Sequence, residues 1–267
     1  YLKVAFRNLI KYKTQSLVSI IGLAVGFTCF ALSVLWIRYE MTYDNFHEGA
    51  DRIYLVRAHY ANEPGTSKFT PYPLMKYLQD KMPEIEAVTA FTAHYVKFRM
   101  EDTEQEIGMI AADSVFMNFF DIQLLKGTVN FLKCDGQEVA ITKEFAKRLF
   151  SKEEDALGKE VEVGRRVCKI GAIVSGWSNH SNIPYNILAP ARHSPQWGSS
   201  NEQLLIRVRE RTDIDAFRTK MSTVCINDIE KESELSDLLI TRMSALRYSD
   251  YVDKADVVIS FSYIFYF

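Results

Sequence analysis

The chain has 267 residues and a formal net charge of −2, with 48% hydrophobic and 25% charged residues. This balance excludes a disordered or collagen-like chain, and the near-neutral charge argues against a nucleic-acid-binding protein, which normally carries a basic excess. These averages are those of an ordinary soluble protein, but they conceal a segment of different character near the N-terminus.

Residues 1–15 carry four basic side chains and no acidic one. Apolar residues recur there at helical spacing: Leu2, Phe6, Leu9 and Ile10. The pattern predicts an amphipathic basic helix on the inner membrane surface, and a plain extension of the following helix is the alternative.

Residues 16–36 contain no charged side chain, and a helix of this length is about 30 Å long, the thickness of a bilayer core. The alternatives are a buried helix of a soluble protein and a signal peptide. Soluble helices rarely run this far without a charge, and a signal peptide has a shorter apolar region followed by an A-x-A-like site. Residues 16–43 are therefore predicted to form a first transmembrane helix with its outer extension. The basic residues before it predict a cytoplasmic N-terminus.

Gly22 and Gly26 lie four residues apart within this span, on one face of the predicted helix. Such a GxxxG pattern lets a second helix approach closely, so we predict a helix-packing role for both glycines. Glycine is common in membrane helices, and the motif by itself is a weak signal.

Residues 44–106 predict the order strand, helix, strand. The first strand, residues 52–60, is rich in β-branched and aromatic side chains. Thr70 and Pro71 are predicted to open the helix, which ends before Pro83. Residues 88–100 then alternate between apolar and polar side chains, which indicates a strand with one buried face.

The same order recurs in residues 201–254. Residues 203–209 predict a strand, Thr212 and Asp213 cap a helix, and residues 236–246 form a further strand candidate. Two strand–helix–strand units can pair into one ferredoxin-like α+β lobe, so we predict a lobe whose two halves are separated in the chain.

Between the halves, residues 107–200 predict a β-rich lobe of their own. Asp113 caps a short helix, Thr142 caps another, and Gly164 with Arg165 suits a tight hairpin turn. Residues 175–200 then form a long segment rich in Gly, Ser, Asn and Pro, within which residues 186–189 are a candidate short strand.

Three aromatic residues lie in that segment: Trp177, Tyr185 and Trp197. Aromatic side chains in a loop either pin it to the protein beneath or present it to a partner. Pinning is the more common use, and a partner-binding loop is the functional alternative.

No catalytic, cofactor-binding or metal-binding motif is present. The sequence contains no Walker A pattern, no GxGxxG, no HExxH and no CxxC. Cys29 lies within the apolar span, and Cys134, Cys168 and Cys225 are the other three thiols, so a disulfide framework is not expected and one bridge is left open. We therefore predict a protein that is not an enzyme, with no catalytic residue, no cofactor and no metal.

Residues 255–267 close the sequence with an almost entirely apolar run. The apolar stretch is too short to span a bilayer. It predicts either a buried strand or, as we favour, the start of a truncated second transmembrane helix.

Several segments together resemble permease subunits of MacB/FtsX-type ABC transporters, particularly those of Bacteroidetes. They are VAFRNLIKYKTQSLVSIIGLAVG (4–26), YDNFHEGADRIYLV (43–56), PLMKYLQDKMPEIEAVT (73–89) and DSVFMNFFDIQLLKG (113–127). Their order and spacing match essentially along the whole chain, which makes the combination specific.

The resemblance implies an N-terminal fragment of a permease of the bacterial inner membrane, with a MacB-like periplasmic core domain after the first membrane helix. That domain has a porter-like lobe split by an inserted β-rich lobe. The implied partners are a cytoplasmic ATP-binding subunit, a second permease copy, and a periplasmic adaptor or cargo, with no nucleic acid.

Five residues match the family pattern best where the membrane helix meets the first outer strand: Asp44, Phe46, Asp51, Arg52 and Tyr54. We expect this membrane–domain joint to transmit load from helix to domain, and ordinary capping and core packing is the alternative.

Two other functions fit the same layout. A membrane-anchored extracytoplasmic sensor or binding module would share the helix and the outer domain, and an anchored hydrolase would need a nucleophile or metal that the sequence does not reveal. The sequence leaves the transported substrate open.

Overall fold

A computed structural model describes residues 7, 10–61, 63–101, 103–133, 137–150, 152–177, 180–229 and 234–248, with the backbone alone for 224–229 and 247–248. The chain divides into two compact units, Tyr1–Tyr43 and Asp44–Phe267. The predictions for residues 255–267, and for most of the amphipathic pattern in residues 1–10, lie outside the described residues.

The first unit is one long helix, α1 (Lys13–Met41), of 29 residues. By length and composition it can cross a membrane. Its two mid-helix hydroxyls donate to the carbonyl four residues earlier, from Thr28 to Ala24 and from Ser33 to Cys29, each at 2.8 Å. Such local bonds satisfy polar side chains where no water is present.

The second unit contains, within its described residues, twelve strands and four α-helices. The strands are β1 (Ile53–Tyr60), β2 (Thr66–Ser67), β3 (Thr70–Pro71), β4 (Ile85–Met100), β5 (Thr103–Ala112), β6 (Leu124–Gly127), β7 (Glu138–Thr142), β8 (Glu160–Val163), β9 (Arg166–Val174), β10 (Ile187–Pro190), β11 (Ser200–Val208) and β12 (Leu235–Arg242). The helices are α2 (Pro73–Lys81), α3 (Ser114–Phe119), α4 (Lys143–Leu149) and α5 (Ile214–Ile229).

The strands form one sheet in the order β12-β1-β11-β4-β5-β10-β7-β9-β6. The first four are antiparallel, and with α2 and α5 they make the ferredoxin-like unit predicted from the repeated strand–helix–strand order. Leu74 and Leu78 of α2 and Phe217 and Met221 of α5 are fully buried in one core with the inward faces of these strands. The apolar periodicity of both helices therefore faces the sheet, as expected.

Two boundaries differ in kind from the sequence prediction, and others shift by a few residues, as where β4 begins at Ile85 rather than at residue 88. Thr70 and Pro71 do not open α2 but form β3, which pairs with β11, and the helix begins at Pro73, a residue favoured in a first helical turn. The last strand ends at Arg242 rather than at residue 246. A 3₁₀ turn follows, in which the carbonyl of Met243 accepts a hydrogen bond from Asn182 instead of continuing the ladder.

The inserted strands continue the same sheet, because β4 is 16 residues long and its far half pairs with β5. The predicted lobe boundary at residue 107 falls inside β5. Beyond it, β10 pairs parallel to β5 and β7 pairs parallel to β9. The short strand expected within the 175–200 segment is β10.

Local signals position the inserted elements as predicted. Asp113 caps α3 through backbone N–H groups of Val115 and Phe116, and the Thr142 hydroxyl accepts the N–H of Phe145 to cap α4. Gly127, at φ +85°, lets β6 approach β9, because a Cβ there would lie 2.2 Å from the carbonyl oxygen of Gly171.

Candidate functional site

The second unit begins at Asp44, three residues after the end of α1. Asp44 has a left-handed backbone (φ 58°) and a fully buried side chain. Its carboxylate accepts hydrogen bonds from the Ser181 hydroxyl, from the Asn182 backbone N–H at 3.1 and 3.2 Å, and from the Asn182 amide at 2.6 Å. Burial raises the pKa of Asp44, and these hydrogen bonds offset only part of that effect.

Asn182 extends this contact to the last part of the described chain. Its side-chain nitrogen also donates to the carbonyl of Met243 at 3.2 Å. The backbone N–H of Asp44 donates to the carbonyl of His180 at 3.3 Å. Asp44 therefore fixes the start of the second unit to the 180–183 loop and, through that loop, to the turn after β12.

Phe46 and His47 continue the segment as part of an aromatic cluster. The His47 ring lies 4.2 Å from the ring of Phe46, 4.7 Å from that of Phe120 and 4.9 Å from that of Trp177, centroid to centroid. Burial, aided by the nearby Arg207 charge, lowers the pKa of His47 to about 4. His47 is therefore neutral at neutral pH and packs as an aromatic ring.

Arg52, immediately before β1, enters a chain of charged contacts. Its Nη1 lies 2.5 Å from Glu86 Oε2 and donates to the carbonyl of Val208 at 3.1 Å. The other Glu86 oxygen lies 4.0 Å from Arg207. The Arg207 guanidinium donates to the carbonyl of Phe119 at 2.6 Å and lies 4.7 Å above the Phe119 ring. The contacts therefore connect β1, β4, β11 and α3.

Sequence reasoning missed Glu86 and Arg207 because nothing local distinguishes them. They meet because β4 pairs with β11, with Arg207 opposite Ala87. Of the other two predicted joint residues, Tyr54 is buried in β1 beneath Arg242, whose guanidinium lies 5.9 Å from the ring centroid, and Asp51 is exposed.

The three loop aromatics do not lie together. Trp177 and Tyr185 pack edge to face at 4.6 Å, and their polar atoms donate to the carbonyls of Ile183 (3.0 Å) and Ser175 (2.9 Å). Burial raises the pKa of Tyr185. Trp197 packs elsewhere, against Tyr77 in the ferredoxin-like core. The first two thus pin the loop, and a partner-binding role for the three stays a prediction.

A second polar cluster also escaped the sequence reasoning. His193 stacks on Tyr72 with the ring centroids 4.0 Å apart, while its Nδ1 lies 3.1 Å from Glu202 and its Nε2 lies 3.8 Å from Asp113. These contacts are ionic, since neither nitrogen has hydrogen-bond geometry. Burial alone would lower the pKa of His193, but the two carboxylates outweigh it and raise that pKa to about 9.

The helix glycines and the thiols complete the predicted set. A Cβ added to Gly22 or Gly26 would meet nothing within 4 Å, so this face of α1 is open to a second helix. Cys29 and Cys168 are reduced thiols, while Cys134 and the side chain of Cys225 lie outside the described residues. Within the described ranges, no group of three or more His, Cys, Asp or Glu is arranged to hold a metal ion.

Comparison with known proteins gives a family match over most of the chain. Residues 16–224 match the MacB-like periplasmic core domain family. No match was found among curated protein sequences.

Three solved structures share the fold. A domain of a protein assigned as a permease from Porphyromonas gingivalis aligns with a TM-score of 0.58 at 19% identity, covering 73% of this chain and 92% of that one. The extracellular domain of the ABC-type transporter YknZ from Gram-positive bacteria aligns with a TM-score of 0.51 at 14% identity, covering 71% of this chain and 99% of that one. The periplasmic region of MacB from Actinobacillus actinomycetemcomitans aligns with a TM-score of 0.52 at 13% identity, covering 75% of this chain and 94% of that one.

Proposed function

The chain belongs to the MacB-like periplasmic core domain family, and on that basis we propose that it is a non-catalytic permease subunit of an ABC transporter. It is a membrane protein with an extracytoplasmic domain. In the proposed function, a separate cytoplasmic ATP-binding subunit supplies the energy. The permease transmits that motion to its periplasmic domain, which exports or extracts a substrate.

One observation supports transmission most directly: the segment that follows α1 is held at two points. Asp44 is tied to the 180–183 loop and to the turn after β12. Arg52 is tied to Glu86 and, through it, to Arg207. Because one end of this short segment is fixed to a loop and a turn and the other end to two strands, a displacement of the segment is passed to the domain rather than absorbed by a flexible linker.

The proposal further places the N-terminus in the cytoplasm of a bacterial inner membrane and the large unit in the periplasm. The basic residues before α1 support this orientation. The open face around Gly22 and Gly26 supports packing against another membrane helix, of the same permease or of a second permease copy. A periplasmic adaptor or cargo would then meet the outer domain, with the Trp177, Tyr185 and Trp197 loop as a candidate contact.

Transmission can be tested without knowing the cargo. The permease, assembled with its ATP-binding subunit in vesicles, would carry a spin label at the exposed Val167, and the label-to-label distance would be measured with and without ATP. We expect an ATP-dependent change in the wild type and a much smaller one in Arg52→Ala and Asp44→Ala, with ATP hydrolysis retained. Arg165→Ala, an exposed arginine in the β8–β9 turn, is the matched control. An unchanged distance response in both joint variants would reject the joint as the transmitting element.

A further inference from the structure

A cavity of about 520 Å³ opens beside the start of β1 in the second unit. This volume is in the range of small-molecule sites. Its walls come from three separate stretches of chain: the 48–54 segment, the turn between β11 and α5, and the end of β12. Seven charged residues define its chemistry: Glu48, Asp51, Arg52, Arg209, Glu210, Arg211 and Arg242.

The charges in this cavity are separated by segment. The 48–54 stretch supplies the carboxylates of Glu48 and Asp51, and its one cation, Arg52, is paired with Glu86 outside the cavity lining. The other two stretches supply three guanidinium groups and a single carboxylate, Glu210. One wall is thus acidic and the others are mainly basic.

Two of the guanidinium groups have no protein counter-ion. Among the residues the structure describes, no carboxylate lies at ion-pair distance from Arg211 or Arg242. Arg242 instead lies over the ring of Tyr54. Arg211 has a left-handed backbone at φ 64°, which is uncommon for a residue with a long side chain and typical of functional turns.

The basic side suits a phosphate oxyanion. Arginine forks bind phosphate with two parallel hydrogen bonds, a geometry that a singly charged phosphodiester also offers. Thr212 and Ile214 at the start of α5 also line the cavity, and the carboxylate of Asp213 caps that helix end by accepting the N–H groups of Asp215 and Ala216. Glu48 and Asp51 make no ion pair with any described basic side chain at the same distance limit, although the charge of Asp51 acts on neighbouring Arg52.

We propose that this cavity binds a ligand carrying a phosphate group beside a primary ammonium group. The phosphate contacts Arg211 and Arg242, and the ammonium contacts Glu48 and Asp51. All four side chains are exposed and solvated in the free protein, and a ligand that carries both charges is the one that engages both walls. The chemistry is that of phosphoethanolamine, either as a phospholipid headgroup or as a water-soluble compound. This assignment does not depend on the transport function.

Calorimetry on the full chain in a detergent free of phosphate and amines tests the proposal. The soluble probes are glycerophosphoethanolamine, glycerophosphocholine and inorganic phosphate. We expect saturable binding of glycerophosphoethanolamine, weaker by about tenfold or more in the double variant Arg211→Gln/Arg242→Gln, since charge-assisted bonds are lost. The double variant Glu48→Gln/Asp51→Asn should lose the preference for ethanolamine over choline. Arg165→Gln/Arg166→Gln is the matched control, because it also removes two exposed arginines, at a distant hairpin, and should bind like the wild type.

Three results would overturn the assignment: no saturable binding, equal binding by the Arg211/Arg242 double variant, or equal affinity for inorganic phosphate or the choline compound. The source of the ligand is decided separately. The chain would be extracted from vesicles of equal phosphatidylethanolamine and phosphatidylglycerol, and its bound lipids counted by native mass spectrometry. Retained phosphatidylethanolamine that the arginine double variant loses indicates the headgroup, and soluble binding without retained lipid indicates a free phosphoethanolamine compound.

Discussion

The second unit packs two histidines in opposite ways. In the aromatic region (Asp44, Phe46, His47, Phe120 and Trp177), the imidazole of His47 is enclosed by rings, and its pKa falls to about 4. In the carboxylate region (Tyr72, Asp113, His193 and Glu202), the imidazole of His193 lies between two carboxylates, and its pKa rises to about 9. Burial opposes protonation in both, so the difference comes from the partners.

The comparison shows two ways to build a polar contact into a domain. The aromatic region keeps its histidine uncharged. Its polar contacts are concentrated on one buried carboxylate, Asp44, which accepts hydrogen bonds from Ser181 and Asn182. The carboxylate region keeps a charged histidine and neutralises it with Asp113 and Glu202. Through the titration of His47 the first arrangement is vulnerable to acid, and through that of His193 the second is vulnerable to base.

The largest expected effect is in the aromatic region. Asp44→Ala leaves the buried Ser181 hydroxyl and two Asn182 donors without their acceptor and should lower the free energy of unfolding by about 3 kcal/mol. Denaturant unfolding of the chain in detergent measures it. Asp44→Asn is the control, because asparagine also tolerates the left-handed backbone and keeps one acceptor, so its loss should be clearly smaller. Equal losses for the two variants would show that the carboxylate is not what holds the 180–183 loop.

The next effect is in the carboxylate region. His193→Ala leaves the buried Glu202 without its cation and should cost about 2 kcal/mol at pH 6. The folded state holds the His193 proton up to about pH 9, whereas the unfolded chain releases it near 6.5, so this stabilisation is lost as the pH rises between those values. Unfolding curves for wild type and variant should therefore converge above about pH 9. A difference that stays constant from pH 6 to pH 10 would mean that packing, not charge, is lost.

A smaller effect of opposite sign is expected for His47. Unfolded His47 takes up a proton near pH 6.5 but the folded ring only near 4, so stability should fall as the pH drops through that window, by about 1 kcal/mol between 6.5 and 5. His47→Phe keeps an aromatic ring and removes the titration. Its stability should decline less steeply than that of the wild type below pH 6.5, as measured by thermal melting against pH. If the melting temperatures of the wild type and His47→Phe fall equally steeply below pH 6.5, the surrounding rings do not hinder protonation of His47.

The smallest effect tests the ring stacked on His193. Tyr72→Leu removes an aromatic face lying parallel to a protonated imidazole and should cost about 0.5 kcal/mol at pH 6. Tyr72→Phe keeps the face and serves as the control. If leucine and phenylalanine behave alike, the stacking adds nothing beyond apolar contact.

Much of the fold follows from local signals. The caps at Asp113 and Thr142, the turn at Gly164 and the apolar stripes of α2 and α5 each depend on residues a few positions apart, and all were predictable. The strand order β12-β1-β11-β4 follows from recognising the repeated strand–helix–strand unit. The sequence did not predict that β4 continues into the inserted part of the sheet, because the local residue pattern of a strand does not show which strands it pairs with along its length.

The candidate sites likewise contain residues that a local pattern identifies and partners that it does not. Asp44 and Arg52 were identified by a resemblance in a short segment, but their partners lie far away in the chain. The Arg52–Glu86 contact joins residues 34 positions apart, and the Asp44–Ser181 contact joins residues 137 apart. Nothing in a local pattern specifies such pairs.

The sequence by itself determined an apolar helix able to cross a membrane, the class of the domain after it and the family to which the chain belongs. Those features depend on composition, periodicity and short motifs, which act within a few residues. Only the tertiary structure decided which charges meet. Sheet pairing placed Glu86 beside Arg207 and the acidic 48–54 segment beside the arginines of the β11–α5 turn. Packing of loops and helix ends gave His47 and His193 opposite pKa shifts, whose sign depends on neighbours that are distant in the chain.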